Sequence, residues 1–529
     1  MSRTPSIDLF DLIKSMTKSE KRYFKLYATR HSTAGKNNYV ILFDAIDKQQ
    51  VYNEESLRQQ NPSLQSTNFR SMKSYLYELI LRSLRSGSTG VFPKVRHQID
   101  DAQILIHKKL YKQATRMLER AMKLAKDEGH LVLGLDILLN LSSLKIRLEE
   151  TNSLERHEEL HAITLTVLNT LRQNVEYYDL FMRMHYLQLQ VSFVHNPEEL
   201  EQLRDILDSP LLSDPSIPQS FFSRMQFHEV LQRGCYMVRD YQGCYEHNLK
   251  KVELFENEPG QLRTLMYEYV YAYGNLLMLS LKLRRYDEFD QRLARLKSQD
   301  RPDHSHRVDL LMNIHYVELA SLVKRGKFAE AVEVIEPITQ FLDEYSGELE
   351  VSVILTFYIG FAFIQLIVGN YRETLYWIGQ IINYPHIGKY GQFEESARLL
   401  NMMSYMELED DRALESAIRS TYRFLKRKDW LQEYQKVILR FLRLVSTTID
   451  YEELRERLRS FREELLALEE SGELQIAEVY QFNLLLWLRA KVERRSYLEL
   501  LRIEEMEATR EQRSSVLEDE SVGVESERV

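Results

Sequence analysis

Residues 326–374 read GKFAEAVEVIEPITQFLDEYSGELEVSVILTFYIGFAFIQLIVGNYRET and contain the same short phrase twice. The phrase is a glycine or basic residue, any residue, an aromatic residue, two residues, and then a small or apolar one. Four clear copies begin at Lys109, Arg284, Gly326 and Gly369, and weaker matches occur at Tyr241, Leu414, Tyr451 and Tyr497. The aromatic positions 286, 328 and 371 are 42 and 43 residues apart. Such a repeat predicts stacked helix pairs, because one pair alone is too small to bury its apolar face.

The composition favours long helices joined by short links. The 529 residues include only 18 Gly and 11 Pro, and 44% are hydrophobic and 28% charged, as in ordinary globular proteins. No run reaches the ~20 apolar residues of a bilayer-spanning helix, so residues 351–368 are interpreted as a buried helix. The N-terminus lacks the apolar segment of a signal peptide. We therefore expect an all-α, cytoplasmic protein with no membrane contact.

Helix-capping residues, linker composition and the polar C-terminal stretch predict four segments. They are a basic helical head (1–86), a linker (87–94), a helical-repeat domain (95–503) and a disordered acidic tail (504–529). Thr17 and Glu20 have the spacing of a capping box that opens a helix. Ser86 to Gly90 read SGSTG, a typical linker composition. The tail is rich in Glu, Arg and Ser and has no apolar face.

The repeat resembles that of the tetratricopeptide (TPR) family. In that family a small residue precedes Gly-x-Tyr by about seven positions, and an alanine follows the tyrosine by three. The chain matches at Ala102/Tyr111/Ala114, at Gly326/Phe328/Ala331 and at Ala362/Gly369/Tyr371/Thr374. Its period is ~43 residues, whereas TPR repeats have ~34 and HEAT repeats ~40–47. The resemblance implies a right-handed α-solenoid of about nine or ten helix pairs with longer helices.

The resemblance also implies a concave face, formed by the first helix of each pair, that binds peptides. On it, amides would hold a peptide main chain and aromatic rings would pack its side chains. Candidate peptide-binding residues are Tyr271, Asn275, Met278, Asn313 and Tyr316. The Lys and Arg of the TPR clamp for a peptide carboxylate are missing. The leading hypothesis is a non-enzymatic protein- or peptide-binding scaffold of unspecified oligomeric state, and the structural alternative is that these tyrosines pack between helices.

The basic head offers a second hypothesis. The net charge of the chain is −9, yet residues 1–96 hold 16 Lys/Arg and 8 Asp/Glu. A helix-turn-helix there could bind nucleic acid, which would make the protein a transcriptional or RNA-linked regulator. In this hypothesis, Lys18, Lys21 and Lys25 neutralise phosphates and residues near Asn68, Arg70 and Lys73 enter a major groove. The alternative is a helical cap on the first repeat, with these side chains as its solvated face.

One enzymatic motif occurs in the sequence. His157, Glu158 and His161 match the H-E-x-x-H pattern, in which two histidines bind zinc and the glutamate activates water. The flanking residues are charged, and no third ligand follows in a recognisable motif. We therefore interpret the segment as a solvent-facing helix and expect no enzyme, catalytic residue, metal or cofactor. Cys235 and Cys244 are too few for a disulfide framework and are expected to be free thiols.

Overall fold

The computed structural model describes most of the chain, namely residues 6–30, 38–49, 52–60, 69–87, 90–148, 153–191, 193–194, 196–298, 304–428, 436, 439–440, 451–470, 484–493 and 495–504. In this described part every regular element is a helix and none is a strand. The predicted all-α class is confirmed. No helix within the described ranges is long and apolar enough to cross a bilayer.

The first helices of the described chain are α1 (Ser6–Ser15), α2 (Lys18–Arg30), α3 (Asn38–Lys48), α4 (Glu54–Gln60), α5 (Phe69–Gly87), α6 (Val91–His107), α7 (Tyr111–Asp127), α8 (Leu131–Leu148), α9 (Ser153–Val191) and α10 (Pro197–Leu207). Those that follow are α11 (Phe221–Met237), α12 (Tyr241–Asn257), α13 (Pro259–Thr264), α14 (Met266–Lys282), α15 (Tyr286–Lys297), α16 (His304–Lys324), α17 (Phe328–Glu333) and α18 (Ile335–Glu344). The last are α19 (Val351–Ile367), α20 (Tyr371–Ile382), α21 (Gly391–Glu407), α22 (Asp411–Lys428), α23 (Tyr451–Glu470) and α24 (Leu484–Glu493), with further helix at 497–504. Short 3-10 turns lie at Pro210–Leu212 and Ile387–Lys389.

The chain forms two compact units. One contains Met1–Arg183, Asp208–Val230 and Lys251–Met266, and the other contains Met184–Leu207, Leu231–Lys250 and Tyr267–Val529. Helices that follow one another along the chain pack together in each unit, as α6 does with α7 and α19 with α20.

The basic head has a hydrophobic core of its own within the first unit. That core is built from α1 to α5 and is centred on buried Phe24, Phe43 and Leu76. The predicted capping box is present, since the Glu20 N–H donates to Thr17 Oγ1 (3.2 Å) and the Thr17 N–H to Glu20 Oε2 (2.8 Å). Two otherwise unpaired N–H groups at the start of α2 are thereby satisfied.

The segment 87–94, predicted to be a linker, overlaps the ends of two helices. Helix α5 runs through Gly87, and α6 already begins at Val91. Pro93 lies in the first turn of α6, where the missing N–H costs no hydrogen bond because that turn has no intrahelical acceptor for it. A proline that looks like a loop signal is therefore a helix-start signal here.

The repeated phrase of the sequence forms a repeated turn. Its first residue has a left-handed φ of 62° at Lys109, 58° at Arg284, 69° at Gly326 and 85° at Gly369. The next helix begins two residues later in each case. At Gly369 the N–H donates to the Leu366 carbonyl (3.2 Å), and the Asn370 N–H donates to the Gln365 carbonyl (2.8 Å). This pair of bonds is the Schellman motif, which satisfies the last carbonyls of the preceding helix.

The same turn also occurs outside the four clear copies of the phrase. Gly129, Arg239 and Glu409 have φ values of 71°, 61° and 55°, with the same two hydrogen bonds. What recurs along the chain is therefore a backbone conformation, for which glycine is favoured but not required.

Helix α19 forms the centre of the core of the second unit. Residues 351–368 were predicted to be a buried helix, and α19 with its C-cap Val368 covers that range. Phe357, Phe361 and Phe363 are almost fully buried there. A helix that is apolar on all sides is stable in water only inside such a core.

Candidate functional site

The predicted peptide-binding residues lie on two helices of the second unit, α14 and α16. These helices approach closely at Gly274, where a Cβ atom would stand 2.3 Å from Nδ2 of Asn313. Real Cβ contacts are never that short, so only glycine fits with Asn313 in its present position. Gly274 lies three residues after Tyr271 and four before Met278, on the same face of α14. The structure thus places Asn313 beside the face that carries Tyr271.

The alternating tyrosines of α14 divide into two groups. Tyr267 and Tyr271 are 56% and 51% exposed. Tyr269 and Tyr273 are fully buried, with ring centroids 5.5 Å apart, and the Tyr273 hydroxyl donates to the Arg292 carbonyl (3.2 Å). Tyr269 and Tyr273 therefore belong to the packing between helices, while Tyr271 is accessible to a ligand.

The other candidates are less accessible than Tyr271. Asn275, Met278, Asn313 and Tyr316 are all partly buried. The Tyr316 ring meets Phe357 of α19 edge to face, with centroids 6.4 Å apart, and burial raises the pKa of its hydroxyl. Tyr316 therefore contributes mainly to packing between α16 and α19.

Unpaired acceptors and carboxylates border the exposed tyrosines. Oδ1 of Asn313 is buried and has no hydrogen-bond partner within the described part of the chain. Burial, and next the charges of Asp309 and Glu350, raise the pKa of Tyr267. The surface defined by Tyr267, Tyr271, Gly274 and Asn313, which we call the tyrosine–amide surface, is therefore rich in hydrogen-bond acceptors.

The lysines of the head are engaged by carboxylates of the head. Lys21 pairs with Asp47 (Nζ to Oδ1, 2.8 Å) and Lys25 with Asp44 (2.6 Å). These ion pairs link α2 to α3. The carboxylates of Asp47 and Asp44 would therefore compete with phosphates for these lysines.

The start of α5 shows the same pattern. Lys73 pairs with Glu54 of α4 (2.5 Å) and lies over the Phe69 ring, 5.2 Å from its centroid. The ion pairs of Glu54 with Lys73 and Arg58 lower its pKa despite the opposing effect of burial. Lys18 and Arg70 are exposed, and Asn68 with the predicted turn before it lies outside the described residues.

The H-E-x-x-H segment lies near the start of α9. His157, Glu158 and His161 are all exposed, and the two imidazole centroids are 6.1 Å apart. Among the described residues no three His, Cys, Asp or Glu side chains are grouped so that they could hold a metal ion.

The two cysteines are free thiols, as expected. Burial, and next the charge of Asp240, raise the pKa of Cys235 to about 11, while burial and the neighbouring Cys235 raise that of Cys244 to about 12. Both side chains are therefore protonated near neutral pH, which disfavours reactions of the thiolate.

The second unit contains two clefts that sequence reasoning missed. The first has a volume of 480 Å³ and lies against α19 and α20, between Tyr358 and Pro385. The second has 380 Å³ and lies against α15, α16 and α18. The only sequence signal for the first was Gly379, a glycine inside a strongly periodic helix.

The charged side chains of the second cleft are paired with one another or with neighbours. Arg325 contacts both carboxylate oxygens of Asp290 (2.8 and 3.0 Å), and Glu318 pairs with Lys297. Burial lowers the pKa of His315, which also lines this cleft. These internal pairs leave little charge available for a ligand.

Comparison with known proteins gives no family assignment: no protein-family model matches the chain, and no curated protein is significantly similar to it. The functional argument therefore depends on the geometry described above.

Proposed function

We propose that the chain is a non-enzymatic, cytoplasmic scaffold that binds a protein or peptide through its helical repeats. In this proposal, the helix pairs stack as a TPR-like solenoid and the tyrosine–amide surface lies on its concave face. The observation that carries the proposal is the juxtaposition of exposed Tyr271 with Asn313 across Gly274.

The chemistry of this surface suits an extended peptide. A tyrosine ring offers a large, rigid contact area at small entropic cost, and it is half exposed at Tyr271. An amide carries both a donor and an acceptor, which matches the alternating N–H and C=O groups of a peptide main chain. Leaving Oδ1 of Asn313 unpaired costs about 1–3 kcal/mol, which a peptide N–H would recover after a small side-chain rotation.

Selection from a random peptide library against the full-length chain tests this proposal. We expect the selected peptides to compete with one another and to bind Tyr271→Ala about tenfold more weakly, since one aromatic contact contributes roughly 1–2 kcal/mol. Tyr422→Ala is the matched control, because Tyr422 of α22 is similarly exposed at 44%. Failure to select any peptide, or equal binding to both variants, would refute the proposal.

Nucleic-acid binding is not part of the proposal. Lys21, Lys25 and Lys73 are three of the candidates for it, and each is ion-paired inside the head. Breaking these pairs would offset part of any gain from phosphate contacts.

A further inference from the structure

The cleft against α19 and α20 is lined by three tyrosines. Tyr358 comes from α19, Tyr376 from α20, and Tyr384 from the residues that follow α20. Tyr376 is 53% exposed, while Tyr358 and Tyr384 are partly buried. Trp377 lies behind them and contacts Tyr358 and Tyr376, with ring centroids 5.3 and 5.0 Å away. We call this the tyrosine cleft. The contacts with Trp377 hold the rings of Tyr358 and Tyr376 in place.

Gly379 forms an open part of the lining. It lies inside α20, where glycine destabilises a helix by about 1 kcal/mol relative to alanine. A Cβ atom built there would meet nothing within 4 Å, so no packing contact of the described chain requires glycine. The missing side chain leaves room for a ligand to approach the backbone of α20.

Two side-chain amides offer acceptor oxygens at the cleft. Nδ2 of Asn383 donates to the Gly379 carbonyl (2.9 Å), which leaves Oδ1 of Asn383 as the acceptor at the lining. Gln380 adds a second amide. Burial raises the pKa of the Tyr358 hydroxyl, and the charge of Asp343 adds to this effect.

We propose that the tyrosine cleft binds an arginine side chain of a partner peptide. A guanidinium is planar, carries five donors and no acceptor, and is weakly hydrated. It would stack on the tyrosine rings, whose faces attract cations, and donate to the Asn383 and Gln380 oxygens. Ring faces and amide oxygens together complement a guanidinium better than they would a neutral apolar group.

This proposal does not depend on the tyrosine–amide surface. The two sites share none of their lining residues, so substitutions at Tyr271 should leave binding in the tyrosine cleft unchanged. Either proposal can therefore fail without the other.

Titration of the full-length chain with acetyl-Gly-Arg-Gly-amide tests the inference, with binding followed by calorimetry and by tryptophan fluorescence. The comparison peptide carries citrulline, which has nearly the same shape as arginine but no charge. We expect the arginine peptide to bind about two- to fivefold more tightly, because the cation–π contact is made to partly exposed rings. Equal binding of the two peptides, or no binding of the arginine peptide, would overturn the proposal.

Two variants locate the binding site. Gly379→Ala places a methyl group in the open part of the cleft. The methyl group should keep the arginine side chain away from the backbone of α20 and weaken binding of the arginine peptide about tenfold. Gly134→Ala of α8 is its control, because a Cβ there also meets nothing within 4 Å and α8 does not line the cleft. Unchanged binding to Gly379→Ala, or equal weakening by Gly134→Ala, would show that the peptide binds elsewhere.

Discussion

Gly274 and Gly379 both lie inside helices of the second unit, but their surroundings differ. At Gly274 a side chain would collide with the Asn313 amide, 2.3 Å away, so the glycine permits α14 and α16 to approach. At Gly379 a side chain would meet nothing within 4 Å. The first glycine is explained by the folded chain alone, and the second is not.

The difference indicates how a binding site can be recognised in a protein without known relatives. A residue that lowers helix stability but makes no compensating contact is a candidate for a role outside the fold. Gly379 and Gly134 both fit that description, but only Gly379 lines the tyrosine cleft. Gly274 instead sets the position of Asn313 on the tyrosine–amide surface.

The largest effect is expected for Gly274→Ala. Overpacking of this kind typically costs about 1–3 kcal/mol, so the midpoint of urea unfolding should fall. The double variant Gly274→Ala/Asn313→Ala removes the colliding amide and should recover most of that loss. If the two substitutions were simply additive, the contact at Gly274 would not be the cause.

The repeated turns should respond with opposite signs. At Gly369, with φ at 85°, alanine should destabilise the protein by about 1–2 kcal/mol, because a Cβ atom strains the left-handed conformation. Glu409 has φ at 55° in the equivalent turn, so Glu409→Gly should be neutral or stabilising. Thermal unfolding of both variants measures the contrast. Destabilisation by both would mean that the side chain of Glu409, rather than its backbone, supports that turn.

A smaller effect, of opposite sign to Gly274→Ala, is expected for Gly379→Ala. Alanine raises helix propensity by up to about 1 kcal/mol, and no collision offsets that gain. Urea unfolding should therefore show equal or higher stability, while the arginine peptide binds less well. A clear loss of stability would contradict the open environment of this residue.

The smallest effect concerns the second cleft, against α15, α16 and α18, which differs from the tyrosine cleft because His315 lines it. Burial disfavours protonation of His315. The charge of Glu318 opposes this effect and the charge of Lys297 adds to it, and the net result is a lowered pKa. The unfolded chain therefore binds a proton more readily, and stability should fall as the pH drops below about 6.5. His315→Gln should reduce this dependence by a fraction of a kcal/mol. An unchanged pH profile of unfolding would contradict the assignment.

Much of the fold was predictable because its signals are local. The capping box at Thr17 and Glu20, the buried helix at 351–368 and the starts of the second helices at Tyr286, Phe328 and Tyr371 all follow from short-range spacing. The turns at Arg239 and Glu409 are only weakly indicated by the sequence, because neither begins with glycine and the turn at Glu409 lacks the aromatic residue.

The candidate sites were less predictable because they depend on contacts between helices. The sequence identifies four alternating tyrosines on α14, but only packing shows that Tyr269 and Tyr273 are buried. Similarly, the composition shows that the head is basic. The ion pairs of Lys21 and Lys25 could not be predicted, because they depend on how α2 packs against α3.

Photo-cross-linking on the tyrosine–amide surface tests the central proposal most directly. A photoreactive benzoylphenylalanine would replace either Tyr271 or, as the control, Tyr422, and each full-length protein would be irradiated with a selected peptide. We predict covalent capture of the peptide at position 271 and not at position 422. Binding without capture at position 271, or equal capture at both positions, would contradict the proposal that this surface is the peptide-binding site.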